Sequence, residues 1–268
     1  MTLRAVFFDL DDTLVVDEAV SRETLQETAH QAFQNHAAEA ERFARDASRH
    51  AKSLWQAGPA HSFCRAIGIS AYECLWGKFE GGTEDLRVLR AWAEAFRPQV
   101  FDQALREQLI ESPEGAHDLA EYFSQERRRL QRLMPDALEI LTRLSGKYAL
   151  GMLTNGAPDL QREKIAASGL GGFFQAIVVS GEHGIGKPRP EIFQRLAAEL
   201  GVETRQAVMV GNSLERDIAG AKNAGMVSIW LKIPGSEEQA PVEPDFTISG
   251  LAELPAVLEK LETSHQGV

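Results

Sequence analysis

Hydrophobic residues are spread along this chain in two distinct ways, and the change from one to the other marks out its organisation. Residues 4–9, RAVFFD, form a compact apolar run bounded by polar residues. The run is too short to be a helix by itself and predicts a buried strand. From about Glu18 to Arg132 the texture changes: a stretch such as SRETLQETAHQAFQNHAAEAERFARDASRHAKSLW is rich in Ala, Glu, Gln and Arg, with no Pro or Gly until Gly58-Pro59. That composition predicts helix. Gly81-Gly82, Pro98 and Ser112-Pro113 divide the remainder into further helical segments.

Beyond Pro135 strands and helices alternate. Helices are predicted over 136–146, 159–168, 190–200 and 215–224, with strands at YALGMLT, AIVVS, AVMVG and MVSIWL between and after them. A last strand, DFTIS, and a helix, LAELPAVLEKL, follow. This order predicts a parallel sheet covered on both faces. The fold class is therefore α/β, with a core formed by residues 1–15 and 133–268 and an all-helical insertion over 16–132. The aromatic residues of the insertion (Trp55, Phe63, Trp76, Phe79, Trp92, Phe96 and Phe101) are expected to pack its helices.

Composition narrows the classes of partner. The 268 residues are 44% hydrophobic, ample for a buried core, and the net charge is −11 with a pI near 5.2. Such a surface repels phosphate backbones, so nucleic acid is not an expected partner. The one dense basic cluster, Arg127 to Arg129, follows Glu121 and Glu126 at helical spacing and predicts a solvated helix face. Cys64 and Cys74 suit neither a disulfide framework nor a zinc site and are expected as free thiols. No secretion signal or run of eighteen apolar residues is present, giving the expectation of a cytoplasmic protein with no membrane partner.

In an open parallel sheet, ligands bind beyond the carboxyl ends of the strands. The first strand ends in Asp9, Asp11 and Asp12; the next in Thr154, Asn155 and Gly156; the third leads through Ser180 to Lys187; the fourth ends in GNSLERD, with Asn212 and Asp217. Residues i and i+2 of an extended segment point the same way, so Asp9 and Asp11 can face one crevice. A divalent cation such as Mg²⁺ makes that pairing tolerable. One carboxylate can then act as nucleophile while the other exchanges a proton, and Thr154, Asn155 and Lys187 can hold and neutralise a phosphoryl group. GEHGIGKP imitates a phosphate-cradling P-loop, but Pro188 stands where a hydroxyl should reach the metal and removes an N–H donor. A P-loop nucleotidase is rejected.

Taken in order, DLDDT, LTNG, Lys187 in GKPRP and VGNSLERD resemble the four motifs of the haloacid dehalogenase superfamily of phosphohydrolases. The resemblance implies a Rossmann-like core with a helical cap of the C1 type. It implies that Asp9 attacks phosphorus to give an aspartyl-phosphate, and that Asp11 protonates the leaving oxygen and later activates water. It further implies that Thr154 and Asn155 hold phosphate and that Lys187 neutralises nucleophile and phosphate. Asp9, Asp11, Asn212 and Asp217 are the expected surroundings of Mg²⁺, and a small phosphorylated metabolite is the expected partner. Many members carry Gly-Asp in the fourth motif; here it is Gly211-Asn212, whose amide ligates without charge. Three other functions stay open on the sequence: a 2-haloacid dehalogenase, in which Asp11 would have no task, a phosphomutase, for which no distinguishing feature is present, and a binding protein that lost turnover through Asn212.

Overall fold

The computed structural model describes residues 2–34, 36–233 and 242–263. Residues 1, 35, 234–241 and 264–268, which fall within the ranges expected for core and insertion, lie outside the described residues. The chain divides into two compact units: Met1–Val16, Arg132–Gly156 and Gln161–Val268 form one, Asp17–Gln131 with Ala157–Leu160 the other.

The first unit is a six-stranded, wholly parallel sheet in the order β3-β2-β1-β4-β5-β6. The strands are β1 (Ala5–Phe8), β2 (Ala149–Thr154), β3 (Ala176–Val179), β4 (Ala207–Gly211), β5 (Val227–Leu231) and β6 (Phe246–Ile248). Central β1 is buried on both sides, which is why its sequence is a continuous apolar run rather than an alternating one. Ala5 and Phe7 pack with Phe193 and Leu196 of the helix Pro190–Glu199; Val6 and Phe8 pack on the opposite face with Leu141 of the helix Ala137–Leu144 and Leu258 of the helix Leu254–Thr263. Each fully buried Phe here contributes roughly 1.5–3 kcal/mol relative to exposure. The chain leaves this unit after Val16 and re-enters at Arg132, and the two passages are tied together: Val16 N–H donates to Arg132 O at 3.0 Å and Met134 N–H to Leu14 O at 2.9 Å.

The second unit is all-helical. Its long helices are α1 (Glu18–Ala32), α2 (Ala37–Ala57), α5 (Glu84–Arg106) and α6 (Pro113–Arg129), with the short α3 (His61–Ile67) and α4 (Ala71–Cys74) between α2 and α5. Trp76, Phe79, Phe96 and Phe101 are buried in its core, and Trp55, Phe63 and Trp92 pack against them half-buried. Cys64 and Cys74 are free and buried.

The basic cluster departs from the expectation of a solvated face. Arg129 does face solvent and pairs with Glu126, but Arg127 is only 1% exposed. Ala116, Ala120, Phe123 and Arg127 fall on one helical stripe, so the helix period carries Arg127 into the core that its charge would avoid. Its guanidinium is kept there by Ser21 Oγ at 3.1 Å, by the Asp17 carboxylate, and by the Trp76 ring 4.9 Å away. Arg128 lies over the same ring at 5.0 Å and donates to the Trp76 carbonyl. Among the described residues, no helix is long and apolar enough to cross a membrane.

Candidate active site

Four loops at the carboxyl ends of the strands build a connected set of polar groups within the α/β unit. Asp9 follows β1 directly, and its amide donates to Val210 O of β4 at 3.0 Å. Alternation along the strand puts Asp9 on the side of Ala5 and Phe7. Three residues on, Asp12 takes the left-handed conformation at φ 55°, a sparsely populated state for a non-glycine residue, and turns the chain away from the sheet.

The centre of the set is Lys187. Its ammonium is buried, 2.7 Å from Asp9 Oδ1 and 2.7 Å from Asp217 Oδ1. Burial alone would lower the lysine pKa, but the flanking Asp217 and Asp9 carboxylates outweigh it and the pKa is raised. The opposite imbalance falls on Asp9: burial and the nearby Asp217 charge push its carboxyl up to about 6 in spite of Lys187. Two carboxylates and one ammonium leave a buried surplus of one negative charge.

Asp217 is completely buried; besides Lys187, it accepts the Ser213 N–H at 3.0 Å. Its carboxyl group packs so closely on Gly211 that a Cβ there would lie 2.3 Å from Asp217 Cγ. Glycine at the end of β4 is thus a requirement of the acid that follows it. Asn212 is anchored through its main chain, whose carbonyl accepts the Trp230 indole N–H at 2.8 Å, while its side-chain Oδ1 accepts from Thr13 Oγ1 at 3.4 Å.

Asp11 is held by two residues that sequence reasoning missed. Lys164 Nζ lies 2.9 Å from Asp11 Oδ1, and Gln161 Nε2 donates to Asp11 Oδ2 at 2.8 Å. The same Nε2 lies 2.6 Å from Thr154 Oγ1 and 2.9 Å from Asn155 O, so its two N–H groups are shared among three acceptors and join the first two motifs. Gln161 and Lys164 lie three residues apart on the helix Pro158–Ser168 and share a face. That spacing was visible in QREK, but nothing there distinguished a buried lysine from the exposed lysines usual on helices. Asn155, in turn, is bonded through both ends of its side-chain amide to the main chain of Lys187.

Among the described residues, no three His, Cys, Asp or Glu gather as a metal cluster. Each of the three carboxylates has a lysine beside it: Lys164 at Asp11, and Lys187 at both Asp9 and Asp217. The oxygen donors available to a cation are the carboxylates of Asp9, Asp11 and Asp217, the Asn212 amide oxygen and neighbouring main-chain carbonyls. Such an oxygen-only set of few protein ligands fits Mg²⁺, which keeps much of its water shell, and the surplus negative charge favours a cation.

A family model described as haloacid dehalogenase-like hydrolase matches residues 3–225. The chain is 38% identical over 253 residues to the phosphoserine phosphatase of Thermus thermophilus, an alignment covering 94% of this chain and 98% of that one. It is 32% identical over 267 residues to the N-acylneuraminate-9-phosphatase of Homo sapiens, covering 97% and 95%. Among solved structures, the HAD-hydrolase YfnB of Bacillus subtilis shares the fold with a TM-score of 0.63 at 23% identity, over 96% of this chain and 99% of that one. The chain therefore belongs to the haloacid dehalogenase-like hydrolases, with their α/β core and helical cap. It is a phosphatase.

Proposed function

We propose that the protein is a Mg²⁺-dependent phosphomonoesterase that hydrolyses a small phosphorylated metabolite through an aspartyl-phosphate on Asp9. The observation that carries this reading is the 2.7 Å contact of the Lys187 ammonium with Asp9 Oδ1. A buried carboxylate that must meet an anionic phosphoryl group needs a fixed positive charge beside it.

In the first half of the reaction an Asp9 oxygen forms a bond to phosphorus as the ester P–O bond breaks. The leaving oxygen takes a proton from Asp11. In the second half Asp11 accepts a proton from water, the hydroxide forms the new P–O bond, and the acyl-phosphate bond breaks to release inorganic phosphate and restore Asp9. The ionised Asp11 paired with Lys164 is the form required as base, so that pair has to open before Asp11 can serve as acid. Thr154 offers its hydroxyl to the phosphoryl oxygens, and Asn155 holds Lys187 in place. Asp9, Asn212 and the Asp11 carbonyl would hold Mg²⁺, which, when bound, supplies positive charge to the phosphoryl oxygens and lowers the repulsion between them and Asp9. Asp217 fixes Lys187 from its far side.

The cytoplasm is the proposed location. O-phosphoserine and N-acylneuraminate 9-phosphate, named by the relatives, head the panel of substrates to test. The decisive experiment measures phosphate release with and without Mg²⁺ in the native protein and in Asp9→Asn. Release is expected to need Mg²⁺ and to vanish in the variant while the circular dichroism spectrum is unchanged. Substantial turnover by Asp9→Asn would overturn the assignment.

A further inference from the structure

The helical unit contains an open groove of about 480 Å³ between α1 and α2, walled at one end by Tyr72 of α4. Glu41, Arg45, Ser48 and Lys52 line it from α2 at positions i, i+4, i+7 and i+11, a single stripe of that helix. Arg22 lines it from α1, with Leu25 beside it; Leu25 and Ala44 give the groove an apolar share.

Two features distinguish this stripe from an ordinary solvated face. One wall is tied together: Arg22 is paired with Glu18, and the Tyr72 hydroxyl lies 2.8 Å from Ser48 Oγ. The other charges are exposed and are not neutralised by one another. Glu41, Arg45 and Lys52 have no ion-pair partner among the described residues, although Glu41 and Arg45 stand at the i, i+4 spacing that favours one. In a chain with a net charge of −11, two unpaired cations facing one hollow form a local positive field.

We propose that this groove binds a small hydroxy acid or amino acid, with its carboxylate on Arg45 and Lys52. Glu41 selects against a dianion such as inorganic phosphate, and rewards a ligand whose hydroxyl or ammonium group can donate to it. Ser48 and Tyr72 add hydroxyl groups that both donate and accept. A mid-helix stripe offers no free main-chain N–H groups, so recognition falls to these side chains. The proposal stands independently of whether the α/β unit hydrolyses phosphoesters.

Calorimetric titration of the full-length protein with L-serine, D-glycerate, glycerol and inorganic phosphate tests it. Serine or glycerate is expected to bind more tightly than glycerol and phosphate, and binding is expected to weaken about tenfold or more in the double variant Arg45→Gln/Lys52→Gln. Both replaced side chains are exposed, so the variant should keep its melting temperature. If neither acid binds better than glycerol, or the variant binds them as well as the native protein, the groove is only a solvated helix face. Calorimetry reads this with or without turnover, so its failure is distinct from failure of the phosphatase reading.

Discussion

Asn155 and Lys187, brought together from separate loops, hold each other in both directions. Asn155 Nδ2 donates to the Lys187 carbonyl at 3.0 Å, and the Lys187 amide donates to Asn155 Oδ1 at 2.9 Å. The amide side chain thus replaces, for one residue, the pairing of a neighbouring strand. Gly186, immediately before the lysine, is close enough that a Cβ there would lie 2.8 Å from Asn155 Oδ1. The clamp explains how a long, flexible side chain reaches a buried position: its main chain is fixed first.

Replacing Asn155 by Ala therefore leaves a buried N–H and C=O without partners, at a cost of about 1–3 kcal/mol each way the accounting is done. The expected outcome is a lower urea midpoint together with a fall in kcat of about tenfold or more, as Lys187 loses its register. Asn155→Gln, one methylene longer, should not restore either. A variant with native kcat would show that Lys187 keeps its place without the clamp.

The raised pKa of Asp9 has a definite sign for stability. Its carboxyl titrates near 3.8 ordinarily and at about 6 in the folded protein, so between those values the native state binds more protons than the unfolded state. Stability therefore falls as pH rises through this window, and the full penalty, on the order of 2–3 kcal/mol, is present above it. Asp9→Asn should then be more stable than the native protein at pH 7.5 in metal-free buffer, with the gain fading as pH drops below 5. Thermal melts across pH 4.5–8 check this; a gain that does not change with pH would refute it. The nucleophile must be ionised, so the acid limb of kcat/KM is expected at or below pH 6.

The sequence exposed the sheet readily because a parallel strand buried on both faces has to be a short apolar run, as AVFF in β1 is. The chemistry was legible for a related reason: strands of such a sheet end at one edge, where Thr154 closes a strand and Asp9, Asn155, Lys187, Asn212 and Asp217 lie in segments that follow one. What stayed hidden were residues whose role depends on packing between helix and loop. Gln161 and Lys164 look like ordinary helix-surface residues, and Arg127 lies in a run of three arginines whose helical phase decides that one is buried and another exposed. The double use of Asn155 was hidden too, because TNG is equally a turn sequence and its partner lies thirty-two residues away.

Lys187 bridges Asp9 and Asp217 and separates their charges. Lys187→Met would leave two buried carboxylates facing each other, and breaking such a buried arrangement costs about 3–5 kcal/mol. Adding Asp9→Asn removes one of those charges, so the double variant should recover part of the loss. A coupling of about 1–3 kcal/mol between the two substitutions is expected from urea unfolding in EDTA. Strict additivity would mean that the ammonium does not interact energetically with Asp9.

Asn212 is the position at which a change of charge should act on the metal more than on the fold. Its main-chain carbonyl, not its side chain, accepts the Trp230 indole at 2.8 Å, and an Asp oxygen could accept from Thr13 as the amide oxygen does at 3.4 Å. Asn212→Asp therefore keeps the local bonds while adding negative charge near a site that already carries a surplus. Without metal the variant should be less stable, because the added carboxylate meets the charges of Asp9 and Asp217. With Mg²⁺ the order should reverse, since an added anionic group raises affinity for a hard cation and binding stabilises the native state by RT ln(1 + [Mg²⁺]/Kd). Melting temperatures measured in EDTA and over a Mg²⁺ series should show a larger Mg²⁺-induced rise for Asn212→Asp, beginning at about tenfold lower concentration. Equal Mg²⁺ responses in the two proteins would place the cation away from residue 212, and with it the metal site proposed between Asp9 and β4.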